Sequence, residues 1–270
     1  MITRRFFLSA CIAGLPAVGG LAAVVEASQS VVLNSALQID KPPYAYFDED
    51  VMAMRGVYVD LLDLLDDPGI GTFLHHGFPW ARAQSMVEAG SADVFCCPVT
   101  EERLSYAYFT ATPIAQLATR RIFFARENPK AAAISAAGTV EDYFEFTTVD
   151  LIGDSRAEEI WRVHPNRTLV AETDTLISML RSGHADFALA EPLTLKFKMR
   201  ERGIEGSLSD ISGNHFCGLR PETVHFGLRK TFPGAQALIA RIDENIRTNL
   251  SSDLRQRIMA KYLKKIGSRV

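Results

Sequence analysis

One stretch of this sequence occurs twice, about 93 residues apart, and it constrains the fold more than any other feature. Residues 85–98 read SMVEAGSADVFCCP, and residues 178–192 read SMLRSGHADFALAEP. In both copies apolar residues at helical spacing end at a glycine, and a short Gly-x-Ala-Asp turn leads into an apolar run. Such runs are typical of strands that are buried on both faces. Each copy therefore predicts a helix that leads into a buried strand.

Two such units predict two lobes of similar design, unless the two copies resemble each other by chance. The surrounding patterns predict strands at 31–39, 121–125, 147–152 and 225–229, helices over 58–65 and after Asp154, and two amphipathic helices within 235–262. Thr173 or Asp174 is the predicted cap of the repeated helix in the second copy.

The fold class that follows is α/β and two-lobed, each lobe a mostly parallel sheet flanked by helices. Chain crossings near 121–126 and 223–229 would form a two-strand hinge. Lobe one would then comprise 28–123 plus 225–270, and lobe two 124–224. Sheets of this kind bind ligands beyond the carboxyl ends of their strands, so we expect the site in the cleft between the lobes.

Composition excludes several classes of protein. Hydrophobic residues make up 47% and charged residues 23% of the 270 positions, which is typical of a folded protein with a sizeable core. The formal net charge of −3 provides no basic field for nucleic acid.

The first 27 residues have the pattern of an export signal. Arg4 and Arg5 precede an apolar stretch over 10–25, and Val25-Glu26-Ala27 supplies a cleavage site. We predict a twin-arginine (Tat) signal peptide cleaved near Ala27, and hence a periplasmic protein. An uncleaved anchor and a general secretory signal are the alternatives.

The cysteines give no sign of a metal site. Cys96, Cys97 and Cys217 remain after cleavage, without CxxC or HxxxH spacing, so we predict neither a metal nor a cofactor. The favoured interpretation is that they are small buried hydrophobes. A disulfide from Cys217 to one of the adjacent pair is the alternative in an oxidising compartment.

Charged residues follow both repeated strands. After the first, Thr100 is a good helix cap and Arg103 lies one turn into the helix, where its guanidinium can bind a carboxylate through two parallel hydrogen bonds. A surface ion pair of Arg103 with Glu101 or Glu102 is the alternative.

After the second repeated strand, Glu191 is the natural partner for an ammonium group, and a solvated loop acid near Lys196 or Lys198 is the alternative. A zwitterion would be satisfied only when the lobes close, since each charge needs its partner once water is excluded.

A series of short motifs follows along the chain, namely Pro43-Tyr44-x-Tyr46-Phe47, Gly56-x-Tyr58-Val59-Asp60, the two Gly-x-Ala-Asp turns, Thr100-Glu101-Glu102-Arg103, Phe109-Thr110-x-x-Pro113 and Phe226-Gly227-Leu228-Arg229. Together these motifs resemble the family 3 extracellular solute-binding proteins, which are the amino-acid receptors of ABC importers. The resemblance covers nearly the whole mature chain, is weakest over 127–170, and implies the type II periplasmic-binding-protein fold.

The resemblance implies roles for particular residues. Arg103 would hold the α-carboxylate of the ligand, and Glu191 would stand where the family usually has an aspartate for the α-ammonium. Tyr44 or Phe47 would pack on the ligand, and Ser155 belongs to a loop that donates hydrogen bonds to the carboxylate.

Other positions depart from the family pattern. Pro98 stands where many members have a serine or threonine, and proline cannot donate a hydrogen bond. Cys96 and Cys97 replace the usual small or aliphatic pair. Trp80 and Arg82 are further candidates for the pocket, with a core tryptophan and a surface arginine as the alternative.

The resulting functional prediction is a monomeric binding protein, not an enzyme. It would capture an amino-acid-like or carboxylate ligand by lobe closure and deliver it to an inner-membrane ABC permease. A ligand-sensing module for a signalling partner is one alternative, and a dehydratase-like enzyme with Glu191 as an acid is another. Gly153-Asp154-Ser155 with His215 or His225 resembles a hydrolase nucleophile turn only superficially, since the final glycine of that motif is missing.

Overall fold

The computed structural model describes residues 31–213 and 218–267. The predicted signal peptide with its cleavage site, His215 and Cys217 lie outside these residues. The strands in chain order are β1 (Val32–Gln38), β2 (Asp40–Lys41), β3 (Ala45–Asp48), β4 (Ala53–Arg55), β5 (Thr72–Phe78), β6 (Val94–Cys97), β7 (Ala107–Phe109), β8 (Ala115–Gln116), β9 (Arg121–Ala125), β10 (Thr148–Leu151), β11 (Arg167–Val170), β12 (Ala188–Ala190), β13 (Leu208–Ser212) and β14 (Thr223–Arg229). The helices are α1 (Val57–Asp63), α2 (Trp80–Glu88), α3 (Glu101–Tyr106), α4 (Ala131–Ala136), a 3-10 turn (Glu141–Glu145), α5 (Ser155–Trp161), α6 (Thr173–Arg181), α7 (Pro192–Glu201), α8 (Ala235–Asn249) and α9 (Ser252–Gly267).

Two sheets share one strand order. The first runs β5-β1-β6-β14-β7, and only β14 is antiparallel to its neighbours in that path. The second combines the pair β11-β10 with the three strands β12-β9-β13, and an isolated parallel bridge from Thr148 to Phe187, the residue before β12, places them in the order β11-β10-β12-β9-β13. In the second sheet, β9 is antiparallel to both of its neighbours. We call the part of the molecule built on each sheet a lobe.

The reversed strand of each sheet comes from a point where the chain passes between the lobes. β8 pairs with β14 in the first sheet, whereas β9, five residues further on, belongs wholly to the second. The return passage lies between β13 and β14. The crossings therefore lie just before the strands at 121 and 223, and the exact lobe limits remain a prediction.

The repeated segment forms the same unit in both lobes, namely α2 with β6 and α6 with β12. Gly90 and Gly183 follow the helices with φ of +77° and +72°, the left-handed geometry that glycine adopts without a steric penalty. The aspartate three residues later fixes the neighbouring strand. Asp93 accepts a hydrogen bond from the backbone N–H of Asn34, and Asp186 accepts one from that of Thr147.

The predicted cap of α6 is wrong. Glu172 occupies the N-cap position without a side-chain cap, and Thr173 is the first helical residue. The backbone N–H of Thr173 instead donates to the carboxylate of Asp40 at 2.8 Å, and Asp40 lies in the other lobe. A tertiary contact thus replaces the local cap that the sequence pattern indicates.

Apolar packing follows the sheets. One large core lies under the first sheet against α1, α8 and α9, and two further cores lie on the two faces of the second. Within residues 31–213 and 218–267, none of the helices carries an apolar stretch long enough to span a bilayer.

Candidate functional site

A pocket lies between the lobes, at the carboxyl ends of β6 and β12. Arg103 and Trp80 reach it from the first lobe, while Glu191, Asp154 and Ser155 reach it from the second. This is the edge at which the sheets of such folds leave room for a ligand, because connections diverge from the strand ends there. The pocket therefore joins the two charges that the sequence placed on separate lobes.

Arg103 is held by several groups of the protein. Thr100 caps α3, and its hydroxyl accepts the backbone N–H of Arg103 at 3.3 Å. The guanidinium donates to Gln84 Oε1 at 2.9 Å, to the Pro98 carbonyl at 2.8 Å and to the Gly153 carbonyl at 3.5 Å. A guanidinium has five N–H groups, so these contacts leave about two for a ligand. Arg103 is 2% exposed, which rules out the surface ion pair.

Glu191 is also buried and oriented by the protein. It is the N-cap of α7, where its Oε2 accepts the backbone N–H of Thr194 at 2.8 Å. Its Oε1 accepts the hydroxyl of Tyr44 from the other lobe at 3.2 Å. Burial and the neighbouring negative charge of Glu191 raise the pKa of Tyr44, so Tyr44 stays protonated and donates. Glu191 is thus a fixed carboxylate and not a solvated loop acid.

The carbonyl oxygen of Gly153 receives donors from three side chains of the first lobe. Trp80 Nε1 lies 3.0 Å from it, and Gln84 Nε2 and the Arg103 guanidinium each lie 3.5 Å from it. The Arg103 guanidinium also stacks 5.3 Å from the centre of the Trp80 ring. These contacts connect α2 and α3 of one lobe to the loop before α5 of the other. We call this group of contacts the Gly153 latch.

Gly153→Ala should open this latch. Gly153 has φ of +80°, and an added methyl group would lie 2.6 Å from Gln84 Nε2. We expect a larger radius of gyration of the ligand-free variant in small-angle X-ray scattering, because the lobes lose one of the contacts that they share.

Gly183→Ala is the matched control. Gly183 has a similar φ of +72°, but nothing lies within 4 Å of its added methyl group. Both variants should lose about 1 kcal/mol of stability from the left-handed backbone. An equal radius of gyration in the two variants would contradict the assignment of the latch.

A second charged group lies at the crossing between the lobes. Arg120 donates to Asp154 at 2.5 Å and to Glu222 at 3.0 Å, and all three side chains are largely buried. Burial alone would lower the pKa of Arg120, but the two carboxylates raise it. Burial alone would raise the pKa of Asp154, but Arg120 holds it below the usual range. Asp154 also caps α5 through the backbone N–H groups of Arg156 and Ala157.

Residues 31–213 and 218–267 contain no group of His, Cys, Asp and Glu side chains arranged to hold a metal ion. Cys96 and Cys97 line the pocket as buried free thiols. Burial raises the pKa of both thiols, that of Cys97 to about 11, so neither is a thiolate at neutral pH. The disulfide prediction depends on Cys217, which lies outside the described residues.

Several solved structures of other proteins share the fold of this chain. A histidine kinase sensor domain with similarity to periplasmic binding proteins superposes with a TM-score of 0.71 at 18% identity, covering 87% of this chain and 97% of that chain. A mutant of the arginine-binding protein ArgBP from T. maritima gives a TM-score of 0.70 at 19% identity over 86% of this chain and 95% of that chain. The substrate-binding protein AbpA of an amino acid ABC transporter from Streptococcus pneumoniae, bound to L-arginine, gives 0.69 at 16% identity over 87% and 95%.

The chain has the periplasmic-binding-protein fold. At these identities the likeness supports the fold alone. No protein-family model matches the sequence. No curated protein matches it either.

In this periplasmic-binding-protein fold, the other predicted site residues are distributed unevenly. Ser155, the first residue of α5, lines the pocket with Trp80. Thr100 caps α3 and accepts the backbone N–H of Arg103. Tyr44 donates a hydrogen bond to Glu191. Phe47 lies elsewhere, on a separate groove outside the pocket, and 38% of its surface is exposed.

Sequence analysis missed other residues of the pocket. Lys41, Tyr58, Arg120 and Thr194 all line it. Tyr58 stands in a motif that carried the family resemblance, which could have indicated it. No comparable signal marks Lys41, which lies in the two-residue strand β2, or Arg120, which lies in the short connection between β8 and β9.

Proposed function

We propose that the protein is a binding protein that captures a small amino-acid-like or carboxylate ligand by lobe closure. The observation that carries the proposal is the position of Arg103 and Glu191, which come from different lobes and line one pocket. A guanidinium with free N–H groups suits a carboxylate, and a fixed carboxylate suits an ammonium. A zwitterion between them would join the lobes through its own two charges.

The proposal also includes a cellular location, the periplasm, and a partner, an ABC permease. An amino acid ABC transporter is the context of one structural neighbour by its own description, which supports delivery to an inner-membrane ABC permease. The twin-arginine pattern of residues 1–27 supports export to the periplasm, with cleavage near Ala27. We propose a monomer that needs neither a metal nor a cofactor.

Ligand sensing is the second candidate. A sensor domain of a histidine kinase shares the fold over nearly its whole length, which supports this role. Ligand capture is common to transport and sensing, so the pocket serves either.

Enzyme activity has less support. Both oxygens of Glu191 already accept hydrogen bonds from the protein, which leaves the carboxylate oriented as an acceptor and not poised as an acid. Both ring nitrogens of His225 bond to Thr110 and Thr223 instead of to Ser155, so the hydrolase arrangement is not formed through His225.

Calorimetric titration of the mature protein with the standard L-amino acids and small carboxylates tests the proposal. At least one α-amino acid should bind, and Glu191→Gln should weaken it about 10-fold or more by removing a charge-assisted hydrogen bond. Glu172→Gln is the control, because Glu172 is also an N-cap but is exposed and makes no side-chain cap. A flat response across the panel would contradict the proposal.

A further inference from the structure

Three polar groups that line the pocket lack a hydrogen-bond partner among the described residues. The Tyr58 hydroxyl and the Thr194 hydroxyl are buried side-chain atoms without a hydrogen bond among the described residues. The ammonium group of Lys41 forms no ion pair or hydrogen bond within residues 31–213 and 218–267, and its contact is the ring of Tyr44 at 5.9 Å. Burying an unpaired hydroxyl is costly, and the half-buried Lys41 has N–H donors that face the pocket, so the three groups indicate polar atoms of a ligand.

Lys41 differs from the other cations of the pocket in this respect. Arg120 uses Asp154 and Glu222, and Arg103 is held by Gln84 and two carbonyls. The three N–H donors of Lys41 remain for another acceptor.

The charged side chains around Lys41 affect its pKa but are paired with other residues. Burial lowers the pKa of Lys41, and the positive charge of Arg120 lowers it further, while Asp154, Glu191 and Glu222 act against both. Those carboxylates are already engaged, two of them by Arg120 and Glu191 by Tyr44 and the backbone of Thr194. An oxygen supplied by the ligand would satisfy Lys41 without disturbing these pairs.

The size of the pocket limits the ligand as well. The cavity volume of the pocket is about 60 Å³. The shortest side chain that carries a carboxylate, that of aspartate, needs the least of this space, whereas a long side chain such as that of arginine needs much more.

We infer that Lys41 selects the ligand side chain, and that the ligand is an amino acid with a carboxylate on a short side chain, of the size of aspartate. This inference rests on the proposed function, since Arg103 and Glu191 would hold the α-carboxylate and the α-ammonium. A charged oxygen binds an ammonium more strongly than an amide oxygen does. A cationic side chain would add a like charge beside Lys41 and Arg120, so arginine is excluded although it is the ligand of AbpA.

Titration calorimetry with L-aspartate, L-asparagine, L-alanine and L-arginine tests the inference on the intact mature protein. The wild type should bind aspartate about 10-fold or more tightly than asparagine or alanine, and should not bind arginine. Lys41→Met should weaken aspartate about 10- to 100-fold and bring it to the level of alanine.

Lys230→Met is the matched control. Lys230 also lies over a tyrosine ring, that of Tyr108 at 5.5 Å, but it is on the outer surface away from the pocket. Its aspartate affinity should equal that of the wild type. If Lys41→Met does not fold, as judged by circular dichroism, Lys41→Gln replaces it, and the ranking of ligands by the wild type is a test in itself.

The outcomes separate this inference from the proposed function. Tight binding of arginine, or of alanine and aspartate alike, with a loss on Glu191→Gln, would overturn the role of Lys41 and keep the binding protein. The same holds if Lys41→Met binds aspartate as the wild type does. Failure of every amino acid to bind would overturn the inference, and failure of the small carboxylates as well would overturn the proposed function too.

Discussion

Replacing Arg103 by alanine should weaken ligand binding about 30- to 1000-fold. The substitution removes a charge-assisted pair of hydrogen bonds to the ligand carboxylate, which contributes on the order of 2–4 kcal/mol. It also removes the donors to Gln84, Pro98 and Gly153, so part of the loss comes from a less ordered pocket. Titration calorimetry with the tightest ligand found for the wild type measures the effect.

Two further variants separate these causes. Arg103→Lys keeps the positive charge but cannot form the forked pair of hydrogen bonds, so its affinity should lie closer to that of Arg103→Ala than to the wild type. Arg82→Ala is the control, because Arg82 is an exposed residue of α2 whose guanidinium lies over Phe78. It should bind as the wild type does. Unchanged affinity in Arg103→Ala would show that Arg103 does not hold the carboxylate.

Replacing Arg120 by methionine should destabilise the protein by about 3–5 kcal/mol, the usual cost of leaving buried carboxylates without their counter-charge. Asp154 and Glu222 would both lose their ion pair, and side-chain exposure at this site is only 10% for Arg120 and 14% for each carboxylate. Chemical unfolding in urea, followed by circular dichroism, measures the change.

The neighbouring Arg121→Met is the matched control. The Arg121 side chain is 36% exposed and pairs with Asp210, so its loss should cost about 1 kcal/mol or less. An equal loss in the two variants would contradict the assignment of Arg120 as a buried counter-charge.

Dependence on pH gives a second signature. The folded protein lowers the pKa of Asp154, so this group adds stability above its unfolded pKa and loses it as the pH falls through the lower folded value. Arg120→Met removes that contribution. Its deficit should therefore be largest at neutral pH and should shrink in acid, as Asp154 becomes protonated in both proteins.

Local patterns predicted most of the elements. The strand β6 coincides with the apolar run after the first Gly-x-Ala-Asp turn, because that turn and the run define it without help from the rest of the chain. The strand β9 was also predicted in full, from its apolar run alone. The shared order of the two sheets agrees with the repeated segment of the sequence.

Long-range contacts could not be predicted in this way. Arg120 meets Glu222, which is 102 residues away in the chain, and Asp40 meets Thr173 across 133 residues. Nothing in the neighbourhood of Arg120 or Lys41 marks them as residues of the pocket. Phe47 is the opposite case, a residue that a motif marked but that lies outside the pocket. Its motif is typical of the family, but its side chain lies on a different groove.

The interleaved order of the strands has a consequence for synthesis. Every strand of the second sheet lies within residues 121–212, whereas the first sheet needs β14 at 223–229 between β6 and β7. At a translation rate of about 5–20 residues per second, β14 leaves the ribosome on the order of ten seconds after β7. During that interval β6 has an open edge to which another chain could add. The half of the molecule that is made first is therefore the last to be completed, and fragments truncated before β14 should aggregate.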